Sequence, residues 1–187
     1  MIAMHLPWRW FRRRDEPNVY EPQRTDASGT ELVVEWIDAV TTGLATAPPG
    51  PPEAAPARVC DGMFTAATIV AVLIDKIADR TEYRVANNRC MASAVDFMKV
   101  LGEDTLRRYR IDGVQPVGWE HLGPEMDEAL IARRLGRLGE ALQLALLAVT
   151  TDYDLSDEVR EAAEESGLLA ADVLVEACQA IQTDPTM

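Results

Sequence analysis

Apolar residues recur at helical spacing through most of this chain. Val33, Trp36, Ile37, Val40 and Leu44 line one face of a segment in which Glu35 and Asp38 lie off the stripe, and Ser28 with Glu31 three residues later forms a capping box ahead of them. A first helix is therefore expected over residues 28–45. From Asp61 to about Ala78 nearly every side is apolar, the pattern of a central helix covered by neighbours. A further helix is expected from about Thr81 to Leu101, with Val85, Met91, Val95, Met98 and Leu101 facing inward. Gly102 stands where a left-handed residue would close it, and residues 103–111 allow one or two more turns.

The sharpest period lies in the C-terminal third. Ile131, Leu135, Leu138, Leu142, Ala145 and Val149 follow one another at spacings of 4, 3, 4, 3 and 4, and after the turn TTDYDLS the series continues through Val159, Ala162, Ser166, Leu169 and Val173. Two helices with matching seams and a short connection predict an antiparallel hairpin from about residue 125. Leu130, Leu144, Leu146 and Leu147 fall off the seam, so the first of these helices offers apolar surface to more than its hairpin partner. The central helix covers part of that surface; for the rest a second copy of the chain is the natural candidate, and a well-packed monomer is an equal alternative. Gly136 and Gly139 each cost about 1 kcal/mol relative to alanine inside a helix, which a close approach by another helix would justify.

Proline and glycine divide the chain. Residues 1–27 hold Pro7, Pro17 and Pro22 without a sustained period and read as an extended arm. Residues 46–59 hold five prolines and read as a semi-rigid, polyproline-like linker. Residues 112–125, with three glycines and two prolines, read as a long loop. The expected organisation is an arm (1–27), a first helix (28–45), a linker (46–59) and a helical body (60–187). With no convincing alternating run, the fold class is all-α, a bundle of five or six helices.

Charge separates the arm from the rest. Residues 1–14, MIAMHLPWRWFRRR, carry four arginines and no acid, whereas residues 15–187 carry fourteen basic against thirty-one acidic residues. Trp8, Arg9, Trp10, Phe11, Arg12, Arg13 and Arg14 are residue types that anchor binding hot spots, and they are also types that sit at a lipid headgroup boundary. Docking to a protein partner, docking to an anionic membrane surface and an idle tail remain open at this point. The acidic body disfavours nucleic acid as a partner, and four arginines alone would hold it only weakly. The arginines are followed by DEPNVYEPQR rather than an apolar stretch, so they do not start an export signal. The uncharged run from Gly62 to Ile74 has thirteen residues, against roughly 18–20 needed to cross a bilayer. Three widely spaced cysteines, Cys60, Cys90 and Cys178, fit reduced thiols in the cytoplasm.

Catalytic patterns are absent from the sequence. No phosphate-binding glycine motif follows a strand, and no serine or cysteine sits in a nucleophile elbow. The two histidines, His5 and His121, lack the spacing of a metal site, and no cofactor is expected. Glu120, His121 and Glu125, beside Trp119 and Glu128, form the best cluster, although acids ahead of a helix have an ordinary role in stabilising its first turn. The expected role is a non-catalytic adaptor or scaffold subunit, self-associating or docked on a larger assembly with the arm as tether. Its alternatives are an acidic inhibitor of a basic partner, since residues 152–187 hold ten acids and one arginine, and a small enzyme using the loop at His121.

Overall fold

Ser28 and Glu31 exchange hydrogen bonds at the start of the first helix: the Glu31 N–H donates to Ser28 Oγ (3.2 Å) and the Ser28 N–H donates to Glu31 Oε2 (2.9 Å). The capping box thus forms as the spacing requires, and α1 runs Gly29–Ala45 with Val33, Trp36, Ile37 and Val40 buried. The computed structural model describes residues 28–46, 50–111, 122, 123 and 125–183. The arm 1–27 and the residues 112–121, which include Trp119, Glu120 and His121, lie outside the described residues.

Helix α2 (Ala54–Lys76) starts ahead of the expected Asp61, so the second half of the assigned linker is helix. The reason is the place of Pro56. In the first turn of a helix an N–H has no intrahelical acceptor, and a proline there loses nothing. The Ala54 N–H instead donates to the Pro51 carbonyl (2.9 Å), and Ala54, Pro56, Ala57 and Val59 are buried. Length and apolarity alone would let α2 cross a membrane, but 72% of its most apolar window is buried inside the bundle, consistent with a core helix.

Helix α3 (Thr81–Leu101) has the expected bounds, and Gly102 closes it at φ 75°, a region glycine enters without a side-chain penalty. Its inward face differs from the expected one. Tyr83, Ala86, Cys90, Ser93, Ala94 and Phe97 are buried, whereas Val85 is exposed and Met91, Val95, Met98 and Leu101 are only half-buried. Small residues take the middle of this face, with the fully buried Tyr83 and Phe97 toward its two ends. Cys60 Sγ donates to the Ala94 carbonyl (3.4 Å) and Asn87 Nδ2 to the Ala67 carbonyl (2.6 Å), a shared antiparallel register that aligns Ala66 and Ala67 with the alanine face of α3. Helix α4 (Glu103–Arg108) adds one short piece with Leu106 buried.

Helix α5 (Glu128–Thr150) is capped by Asp127, whose carboxylate accepts the Leu130 N–H (2.9 Å) and whose own N–H donates to Thr30 Oγ1 (2.8 Å), joining the starts of α1 and α5. After the turn come α6 (Asp157–Glu161), a π-helical turn (Ala162–Gly167) and α7 (Leu168–Gln182), which run on as one rod. Gly136 faces Cys178, Gly139 faces Val175, and Gly167 faces Leu146, so α5 and α7 are antiparallel neighbours. The π turn overturns the seam expected on the second strand of this hairpin. By accommodating an extra residue it moves the inward face from Ala162 and Ser166 to Ala163 and Gly167, and then to Ala170, Ala171, Leu174 and Ala177. Leu169, expected inside, is 42% exposed.

The described residues contain helices and no strand, and with α6–α7 counted as one they form a bundle of six. Helix α2 packs on α1, α3, α4 and α5, while α7 packs on α3 and α5. Met63, Ile69, Leu73, Phe97, Leu138 and Leu142 fill the centre and are fully buried. Burying each such side chain stabilises the fold by about 1.5–3 kcal/mol.

Candidate functional site

On α5, the seam residues Ile131, Leu135, Leu138, Leu142 and Val149 are almost completely buried inside the chain itself. Ala145, Leu130 and Gly136 are half-buried. Leu146, expected to need outside cover, is also fully buried, because the π turn presents Gly167 to it. At Gly139 a Cβ would stand 2.7 Å from Val175 Cγ2 and 3.5 Å from the Ala171 carbonyl, so the missing side chain is what admits α7. Gly136 is different: its nearest neighbour would be Cys178 Cβ at 3.5 Å, an ordinary contact.

What remains outside is Leu144, 71% exposed, and Leu147, 51% exposed. They are three residues apart and so adjoin on the helix surface. Gln143 Nε2 donates to Asp172 Oδ1 (2.7 Å) across the hairpin, and on α7 Leu169 is 42% exposed. The outer face of α5 is therefore apolar at Leu144 and Leu147. Its flanks are acidic, because Glu140, Glu165, Asp172 and Glu176 are all exposed and residues 161–183 contain five acids and no base. Arg133 and Arg137 lie two turns or more from Leu144, toward the start of α5. Beyond the other end, Tyr153 is 84% exposed with the Arg160 guanidinium 5.2 Å from its ring centre. Leu169, expected in the core, is turned outward beyond the π turn, which leaves no trace in the hydrophobic period.

Of the loop cluster, Glu125 is exposed, and Glu120 and His121 lie outside the described residues. Among the described residues no group of three His, Cys, Asp or Glu side chains is placed to hold a metal ion. All three cysteines are free and buried. Burial pushes the Cys90 and Cys178 thiols up to about 12, Cys178 adding to the effect at Cys90, and it pushes Cys60 higher still, with Asp61 as a second cause. Thiols held protonated in this way are poor nucleophiles.

Two partly buried polar clusters join helices. Arg80 Nε donates to Glu128 Oε1 (3.1 Å), tying the start of α3 to the start of α5, and the buried Tyr83 hydroxyl beside them is pushed up by burial first and by the Glu128 carboxylate second. On α2, Asp61 Oδ2 accepts the Ile111 N–H (2.9 Å) with the Arg110 guanidinium 3.9 Å away. Burial raises the Asp61 carboxyl to about 6, against the lowering effects of Ile111 and Arg110. A folded-state value above the unfolded one means that protonation favours the fold, so stability from this group rises as pH falls from about 7 toward 4 and is lost as pH rises through about 6. Asp61→Asn keeps an acceptor for Ile111 and removes the desolvated charge. At pH 7 the variant is expected to be on the order of 1–2 kcal/mol more stable, with the advantage gone near pH 4.5, as measured by denaturant unfolding across that range. An unchanged pH dependence would contradict this account of Asp61.

Comparison of the chain with protein-family models, with curated proteins and with solved structures finds no match, so the reading of function rests on the chain itself.

Proposed function

We propose that the chain is a non-catalytic helical adaptor or accessory subunit that docks on a larger assembly, with Trp8, Arg9, Trp10, Phe11 and Arg12–Arg14 as the tether to a protein partner or to an anionic membrane surface on the cytoplasmic side. One observation carries this reading. The residues suited to recognition are segregated in a short arm whose four arginines and absence of acid oppose the acidic remainder of the chain. The raised pKa values of the thiols, Tyr83 and Asp61 are each accounted for first by burial. Tryptophan and arginine contribute most where they are desolvated against a complementary surface. Self-association through the α5 seam would have to use Leu144 and Leu147, since the seam itself is buried.

A second reading is an acidic inhibitor of a basic protein, favoured by the five acids and no base of residues 161–183. Purification of the full chain from its own cells with native mass measurement tests both. A large hetero- or homo-oligomer supports the adaptor, and a one-to-one complex with a strongly basic protein supports the inhibitor. A lone monomer under all salt conditions would overturn the two together.

A further inference from the structure

We propose that the outer face of α5, where the exposed Leu144 and Leu147 adjoin and Gln143 reaches Asp172 on the acidic α7, is a docking surface for a cationic aromatic segment, and that its occupant is residues 8–14 of the same chain. Exposed large apolar residues at adjoining positions on one helix face mark an interaction surface more often than scattered single ones do. Leu144 and Leu147 adjoin in this way. Such a face calls for apolar rings and for positive charge around them. The arm carries both, with Trp8, Trp10 and Phe11 set between Arg9 and Arg12–Arg14. A guanidinium pairs with an exposed carboxylate at little gain by itself, but several around a buried aromatic anchor fix its place and exclude other occupants.

The other occupants fit less well. A second helical body brings the same excess of acid to an acidic face, so like charges would meet around the leucines. An anionic membrane is repelled by the same carboxylates.

Reach favours the same chain. The contact of Asp127 with Thr30 places the end of the arm beside the start of α5. Leu144 is 17 residues beyond Asp127, about 25 Å along the helix at 1.5 Å per residue. Seventeen residues also separate Phe11 from Ser28; as a coil they span on the order of 23 Å, and fully extended about 56 Å. A linker whose mean span matches the distance to its site gives an effective concentration in the millimolar range, which lets even a weak contact fill the site.

The inference rests on the tether reading for the arm's role in recognition and adds its resting place: a partner takes the arm by competing with the chain's own hairpin. The test uses the full chain with p-benzoylphenylalanine at Phe11 and, in a second preparation, at Met4, irradiated and mapped by mass spectrometry in a mixture of isotopically light and heavy protein. Cross-links to residues 140–176 within single chains are expected, with a yield that falls several-fold in 1 M salt. A fall of at least tenfold is expected in Leu144→Asp/Leu147→Asp, whose sites are exposed enough for the helical content to be kept. Cross-links elsewhere, no cross-links, light–heavy cross-links between two copies, or a yield indifferent to the leucine changes would each overturn the proposal. If cross-links fail while capture of a partner still requires residues 1–14, the tether reading stands and the resting place alone is wrong.

Discussion

Leu142→Ala is expected to lower the unfolding free energy by about 3–4 kcal/mol, and adding Gly62→Ala to that variant is expected to recover about 1 kcal/mol. Leu142 is fully buried between α5 and α2. Truncation removes its transfer energy and leaves a cavity that packed helices fill only in part. Against a total stability of roughly 5–15 kcal/mol for a domain, that is a large fraction. Gly62 is the residue that makes room for it: a Cβ there would stand 2.8 Å from Leu142 Cδ2 and 3.2 Å from Leu44 Cδ1. In the native protein Gly62→Ala must therefore push two side chains aside, at a cost of about 1–2 kcal/mol that offsets its better helix propensity. With Leu142 shortened the nearer obstacle is gone, and the same change fills space. Denaturant unfolding of the four proteins measures the coupling, and an equal effect of Gly62→Ala in both backgrounds would show that the two residues do not share this contact.

Gly139→Val is expected to cost about 2–3 kcal/mol, while Gly136→Ala, one turn away on the same helix, is expected to stabilise by up to about 1 kcal/mol. At Gly139 the first added carbon already meets the stiff Val175 side chain at 2.7 Å, and the carbonyl of Ala171 lies behind it at 3.5 Å. A branched side chain there has to separate α5 from α7. At Gly136 an added methyl makes ordinary contact with Cys178 and Gln182, and removing the backbone freedom of glycine gains stability. Thermal melting with far-ultraviolet circular dichroism distinguishes the two. Opposite signs are the expected result, and two changes of like size and sign would mean that neither glycine governs helix separation.

The all-helical class was legible because each long segment repeats its apolar residues at helical spacing, and the start of α1 because its capping box is local chemistry. The fold departs from the sequence reading where tertiary packing decides. On α3 the large residues Val85 and Met91 promised a core, but the helix turns Tyr83, Ala86, Cys90, Ala94 and Phe97 inward instead, in the register fixed by Cys60 on the Ala94 carbonyl and Asn87 on the Ala67 carbonyl. At Pro56 a helix breaker is harmless because it falls in a first turn, a position that depends on where the preceding chain packs. Beyond Ala162 the period misleads by one residue, since the π turn over Ala162–Gly167 leaves no mark in the spacing. That same slip hid the exposure of Leu169. The arm's character, by contrast, is written in its composition, because charge and aromatic content need no fold to be read.

The measurement that bears most directly on the division between recognising arm and helical body is the deletion of residues 1–14 from the full chain, followed by its melting curve and by partner capture alongside the intact protein. The account predicts a helical content and melting temperature within a few degrees of the parent, because the described core is built from residues after Ser28, together with loss of capture; Trp8→Ala/Trp10→Ala should weaken capture more than neutralising Arg12–Arg14, since buried aromatic area outweighs screened charge. A body that melts with the arm removed, or capture that persists undiminished, would contradict it.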